Sequence, residues 1–280
     1  MHEPTPPGER DRTRNLHFAA EQCLLSADIA SKLELAHGLQ RDLEAGLLRC
    51  EPLPEMPSLI DAGRPARPEL VAPSQLVQRK LGTREGVAAL LHAVAHIEFN
   101  AINLACDAVY RFRDMPDDYY HDWARVAAEE AYHFSLLQRR LEQLGHTYGD
   151  FPAHNGLWEL AQDTASDVLL RMALVPRVME ARGLDVTPGM IRRFAAIGDE
   201  ATVAVLEIIL RDEIGHVEAG SRWFHYLCRQ RGLDAESTYF SLLERHLGSN
   251  VRCPLHREAR LQAGFSESEL GRLEALCAKH

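Results

Sequence analysis

The chain has 280 residues, with 41 acidic against 31 basic side chains and a formal net charge of −10. That length suffices for one large domain with a substantial core, and the acidic balance disfavours a general nucleic-acid-binding surface. Six scattered cysteines (Cys23, Cys50, Cys106, Cys228, Cys253, Cys277) include no Cys-x-x-Cys pair, which argues for reduced thiols in a cytoplasm and against a disulfide framework or a rubredoxin-type iron site.

Hydrophobic periodicity is helical nearly throughout and no alternating strand stands out, so the expected class is all-α. Residues 1–14 read as a disordered lead without the basic-then-apolar pattern of a signal peptide. No stretch approaches the roughly 18 uninterrupted apolar residues of a membrane span. An N-terminal segment, 15–83, follows. Residues 16 to about 48 form one amphipathic helix or two, and Pro52, Pro54, Pro57, Pro65, Pro68 and Pro73 then impose an extended wrapping segment.

Thr83 is a candidate N-cap for a helix over about 84–113. Asp114-Met115-Pro116-Asp117 turns into a second helix, about 117–145, closed by Gly145. From His133 to Gly145 the chain descends about 18 Å at 1.5 Å per residue. It must climb back before a third helix begins, so 146–165 is expected to cross over, with a short helical turn near 157–162. The third helix is placed at about 166–183, kinked by Pro176 and ended by Gly183. Thr187-Pro188 opens a fourth, 189–231. Residues 232–280 read as a helical extension, one helix starting near Ser266-Glu267-Ser268-Glu269. The expectation is one structural domain, with 84–231 as a four-helix bundle.

Two stretches repeat one pattern within that bundle. Glu98 precedes Glu130-Ala-Tyr-His133 by 32 residues, and Glu180 precedes Glu213-Ile-Gly-His216 by 33. Residues three apart share a helix face, so each Glu-x-x-His aims a carboxylate and an imidazole the same way. Two such units with one further Glu from each of two helices form the ligand set of a carboxylate-bridged di-metal site in a bundle. The tetrapeptide alone is weak: 25 Glu and 14 His predict about one chance match, and three occur. The third, Glu34 to His37, has no helical partner upstream and reads as a solvated face. Weight comes from the duplicated spacing and the apolar neighbours, such as Val94, Ala95, Ala101 and Ile102 around Glu98. Four carboxylates on apolar stripes are costly as bare anions, and metal cations are the simplest compensation.

The residue before each Glu-x-x-His is acidic, Glu129 and Asp212. Metal-bound imidazoles donate their other N–H to carboxylates, so Asp212 is expected to support His133, and Glu129 to support His216. His96 and Tyr132 are placed near the ligands as supporting residues, and His92 is given a supporting or core role. Cys253-Pro-Leu-His256 lacks partners and reads as tail structure.

The order Glu, Glu-x-x-His, Glu, Glu-x-x-His resembles the ferritin-like superfamily of carboxylate-bridged di-iron proteins. More closely, His92-Ala-Val-Ala-His96-Ile-Glu98, residues 174–185 around Glu180, and Arg211-Asp-Glu-Ile-Gly-His216 resemble a bacterial ferritin-like family designated domain of unknown function 455. That likeness extends to Arg64-Pro-Ala-Arg-Pro68 and residues 259–265. The chain is also distantly similar to the tRNA hydroxylase acting on a thiolated isopentenyl-adenosine, through Glu180-Ala181-Arg182. The resemblance implies that Glu130 and Glu213 bridge two metals, that Glu98 and His133 complete one, and that Glu180 and His216 complete the other. Mostly oxygen ligands with one imidazole per metal suit iron or manganese. The implied cofactors are two iron ions, a Mn/Fe pair or two Mn, with O2 as co-substrate.

The expected activity is that of a di-iron oxidase or hydroxylase with a small-molecule or modified-nucleoside substrate and an external electron donor. Iron handling (ferroxidase or storage) and peroxide defence are the alternatives. About 80 residues before the bundle and 50 after it suit roofing a pocket better than building a cage, so a monomer or homodimer is expected.

Overall fold

A computed structural model describes residues 14–51, 60–77, 79–248 and 252–277. The lead up to Thr13, together with Pro52, Pro54 and Pro57, lies outside the described residues. The chain divides into two compact units, Met1–Trp158 and Glu159–His280. Helices account for nearly all regular structure. Two isolated bridges, Asn15 with Arg49 and Leu70 with Ala153, are the β pairing among the described residues.

Unit 1 contains α1 (Leu16–Leu25), α2 (Ile29–Glu44), α3 (Arg84–Arg111) and α4 (Asp117–Gln143). The stretch read as one helix or two is two, because Asp28 accepts from Ser31 N and starts α2 as a separate helix. Thr83 caps α3 by accepting from Gly86 N at 3.0 Å, and Gly145 closes α4 at φ 77°, both as expected. α3 packs on α4 and α1, and α2 packs on α1 and α4, so the N-terminal helices are part of a four-helix cluster. Small residues on α3 (Ala88, Ala95, Ala105 and Ala108, all at most 1% exposed) allow that close packing. Lys32 on α2 is fully buried, and its ammonium donates to Cys23 O, Leu24 O and Asn103 Oδ1 at 2.8, 3.1 and 2.6 Å. One buried cation thereby ties α2 to the carbonyl end of α1 and to α3. By length and composition α3 could cross a membrane; 78% of its most apolar window is buried here.

The extended wrap runs through Pro65 and Pro68 to a 3-10 turn, Pro73–Gln75. It is pinned to the crossover by Val71 N to Ala153 O (2.8 Å) and Ala153 N to Glu69 O (2.9 Å). The crossover contains α5, Gly156–Asp163, where a short helical turn was expected.

Unit 2 contains α6 (Val168–Leu174), a π-helical segment (Val175–Glu180), α7 (Ala181–Ala196), α8 (Glu200–Gln230), α9 (Ala235–Leu247), α10 (Arg257–Gln262) and α11 (Glu267–Cys277). α6, the π segment and α7 all pack on α8. The irregularity expected at Pro176 is present as the π turn, since proline supplies no N–H to the regular ladder.

Two helix boundaries need correction. The third helix does not end at Gly183, and the fourth does not open at Thr187-Pro188: α7 continues through both to Ala196. Buried Leu184, Asp185 and Thr187 anchor this stretch, and Arg260 bonds Asp185 at 2.9 and 2.7 Å, so tertiary packing overrides the local proline signal. The break falls at Gly198 (φ 74°), and Asp199 caps α8 by accepting from Thr202 N. The last helix starts near Ser266 as expected, and Ser266 and Glu269 cap it reciprocally, with Glu269 N to Ser266 Oγ at 3.0 Å and Ser266 N to Glu269 Oε2 at 2.8 Å.

The expectation of reduced thiols fails at one pair. Cys253 and Cys277 are disulfide-bonded with Cα atoms 5.9 Å apart. A separation of 24 residues gives no local sign of this; the fold of the tail brings the two within bridging distance. Cys23, Cys106 and Cys228 are free and buried, and Cys50 is free and exposed.

Candidate metal centre

In unit 1, α3 delivers Glu98 and α4 delivers Glu130 and His133. One ligand atom from each lies within 4.8 Å of the others. The His133 Nδ1 is 3.3 Å from Glu98 Oε2 and 3.4 Å from Glu130 Oε2. The three residues are 5%, 1% and 0% exposed. Glu98 sits among Ala95, Ala101 and Ile102, all buried, so water gives it little help. Burial and the adjacent Glu130 push the Glu98 carboxyl well above the usual range. Burial opposes charge on His133, but its bonds to Glu130 and Glu98 outweigh that and raise it to about 11. Protons are thus held more tightly at Glu98 and His133 than on the same side chains in water.

A cation taking these ligands competes with those protons. Metal uptake should release protons from this cluster, and apparent affinity should fall as the pH is lowered. Calorimetry in buffers of different ionisation enthalpy measures the release. A metal titration with no buffer-dependent heat would contradict it.

In unit 2, α8 delivers Glu213 (9% exposed) and His216 (0%), with His216 Nδ1 3.3 Å from Glu213 Oε2. Glu180 closes the π segment and is 7% exposed. Gly183, one turn beyond Glu180, lies so near Glu213 that a Cβ there would be 3.6 Å from its Oε1. The residue read as a helix terminator is thus where α7 comes against the Glu213 carboxylate. Gly220 is one turn beyond His216, and a Cβ on it would fall 2.3 Å from the Cβ and Cγ of Pro176. Contact between Gly220 and Pro176 sets how closely the segment ending in Glu180 approaches α8.

The supporting residues are less uniform. Glu129 accepts from Arg125 Nη1 at 2.9 Å, and Asp212 from Arg211 Nε at 2.8 Å. His96 does not serve the carboxylates. Two residues on a helix are about 200° apart, and its ring bonds Tyr148 Oη (2.8 Å) and His154 O (3.2 Å) instead. Tyr132 is 42% exposed, because the neighbour of inward-facing His133 is turned about 100° around α4. Glu34 and His37 are both exposed, as expected of a solvated face. Sequence reading missed Tyr148, which stacks on His92 and His96, and the burial of Arg177. The His92/His96 spacing was the available signal for the first; nothing local pointed to the second.

Fold and site define an all-helical protein with buried glutamate and histidine groups able to hold a metal ion. The family model described as "Protein of unknown function (DUF455)" matches residues 25–271, and the chain belongs to that family. A Haemophilus influenzae (strain ATCC 51907 / DSM 11121 / KW20 / Rd) protein described as "Uncharacterized protein" is 47% identical over 260 residues, covering 89% of this chain and 90% of the relative. No solved structure matches.

Proposed function

We propose that the chain is a ferritin-like metalloprotein whose residues Glu98, Glu130, His133, Glu180, Glu213 and His216 hold two metal ions, iron first among the candidates, and that it is an O2-dependent oxidase or hydroxylase. The observation that carries the metal reading is the convergence of Glu98, Glu130 and His133 in a buried site where both carboxylates cannot comfortably ionise. The duplicated spacing in the sequence supports extending it to Glu180, Glu213 and His216, which are buried in turn.

Carboxylates with single imidazoles are ligands for iron or manganese rather than for a thiolate zinc site. Metals held there would supply the reduction of O2 that the protein's own side chains cannot. The chain's residues contribute the rest: α3 and α4 fix Glu98, Glu130 and His133 in register, and the apolar stripe around Glu98 keeps water out. Asp212 and Glu129 are proposed to hold the outer N–H of the histidines. An external electron donor, and a monomer or homodimer state, belong to the same reading.

Elemental analysis of anaerobically purified protein tests it. Wild type should hold about two transition-metal ions per chain, and Glu130→Ala combined with His216→Ala should hold almost none. Unchanged metal content in the double variant would refute the assignment. Asp212→Asn should weaken metal binding by about 10- to 100-fold. Fe(II)-loaded protein that takes up O2 and accumulates a mineral core as a 24-mer would favour iron handling over the oxidase reading. Rapid peroxide consumption would favour defence, and saturable binding of tRNA would revive the nucleoside substrate.

A further inference from the structure

A recess on unit 1 lies on the side of α3 away from Glu98, under the Arg64-Pro-Ala-Arg-Pro68 wrap that the metal site leaves without a role. Its floor is α3, with His96, Phe99 and Asn103; its walls are the wrap at Arg64 and the crossover at Tyr148 and Trp158. About 330 Å³ of empty space, including the open mouth, lies between them.

The polar side chains lining this space are unevenly matched. His96 Nε2–H donates to His154 O, which leaves Nδ1 to accept the Tyr148 hydroxyl proton. That pair is internally satisfied. Lys32 Nζ holds Asn103 Oδ1 at 2.6 Å, so the Asn103 amide N–H2 is the half turned away from the ammonium. Trp158 is only 3% exposed, yet its Nε1–H has no acceptor. A buried N–H without a partner is destabilising, so the fold retains here a donor that its own residues do not use. Arg64 forms no ion pair among the described residues, and no carboxylate lines the recess. A cation and an unused donor therefore line a recess that has amide oxygens from Asn100 and Asn155 but no anionic group.

We propose that this recess binds a small oxyanion, a carboxylate or phosphate group, through the Arg64 guanidinium, the Trp158 indole N–H and the Asn103 amide. The planar guanidinium suits either group. The site is independent of the metal ligands, and its test does not require metal.

The indole N–H resonances of the three tryptophans in ¹⁵N-labelled full-length protein report on it directly. Titration with acetate, and separately with inorganic phosphate, at constant ionic strength held with chloride, should move one indole peak saturably. That peak should be missing in Trp158→Phe. Arg64→Gln, a change at an exposed residue, should leave the folded spectrum intact and weaken the midpoint about tenfold. Saturation by acetate alone would identify a carboxylate ligand, and saturation by phosphate alone a phosphate ligand; either supports the proposal. No saturable movement of the Trp158 peak with either anion up to tens of millimolar would overturn it, leaving a recess filled by water. An unchanged midpoint in Arg64→Gln would overturn it equally, and this arm stands even if Trp158→Phe fails to fold.

Discussion

Arg177→Met should destabilise unit 2 by about 3–5 kcal/mol, the cost of leaving one member of a buried ion pair without its partner. Arg177 is 0% exposed and bonds Glu269 Oε1 at 2.7 Å. Its guanidinium carbon also lies 4.8, 4.3 and 4.5 Å from the ring centroids of Phe224, Tyr239 and Phe265, placing aromatic rings from three segments around one cation. Tyr239 Oη donates back to Arg177 O at 3.3 Å. Methionine keeps most of the volume, so the loss should come from Glu269, 2% exposed and deprived of its cation, and from the lost cation–π contacts.

That origin can be separated from a packing defect. Glu269→Gln added to Arg177→Met removes the stranded charge and should recover a large part of the stability. Chemical denaturation of wild type, Arg177→Met and the double variant measures it. A single variant within about 1 kcal/mol of wild type would show that the cage carries little energy. Because Arg177 lies three residues before Glu180, the variant should also lose metal retained through Glu180.

The second large effect is expected at Gly220. Alanine there puts a methyl carbon 2.3 Å from two atoms of the Pro176 ring, far inside van der Waals contact. A proline ring cannot swing aside like a long side chain, so the π segment must move away from α8 or α8 must bend. Overpacking of this kind costs about 1–3 kcal/mol and sometimes more. Gly220 shares its face with His216, and Pro176 leads into Glu180, so the displacement is expected to reduce metal content as well as thermal stability. Pro176→Gly removes the clashing atoms and should partly rescue Gly220→Ala in a double-mutant cycle. Purely additive losses would show that the contact between residues 176 and 220 does not govern the approach of the segment.

Much of this was legible in the residues themselves. Thr83 and Gly145 bound their helices because a side-chain oxygen near three free N–H groups and a left-handed glycine act locally. The face shared by Glu130 and His133, and by Glu213 and His216, follows from helix pitch alone. Pro176 marked an irregularity for the same local reason. The helix boundary near Gly183 and Pro188 was misread because both residues have local meanings that packing can cancel. Asp185 is held by Arg260, 75 residues away, and no window of sequence contains both. His96 and Tyr132 were grouped with the ligands by nearness in sequence, whereas helix rotation turns each away.

By itself the sequence determined the helical class, most element boundaries and which carboxylates and imidazoles share a helix face, because these depend on contacts within about one helical turn. Only the tertiary structure decided that Glu98 meets Glu130 and His133, that Arg177 is caged, that Cys253 joins Cys277, and that Trp158 presents an unused donor beside Arg64. Those depend on residues tens of positions apart being brought within a few ångströms, and hydrophobic packing sets such distances only when the whole chain has folded.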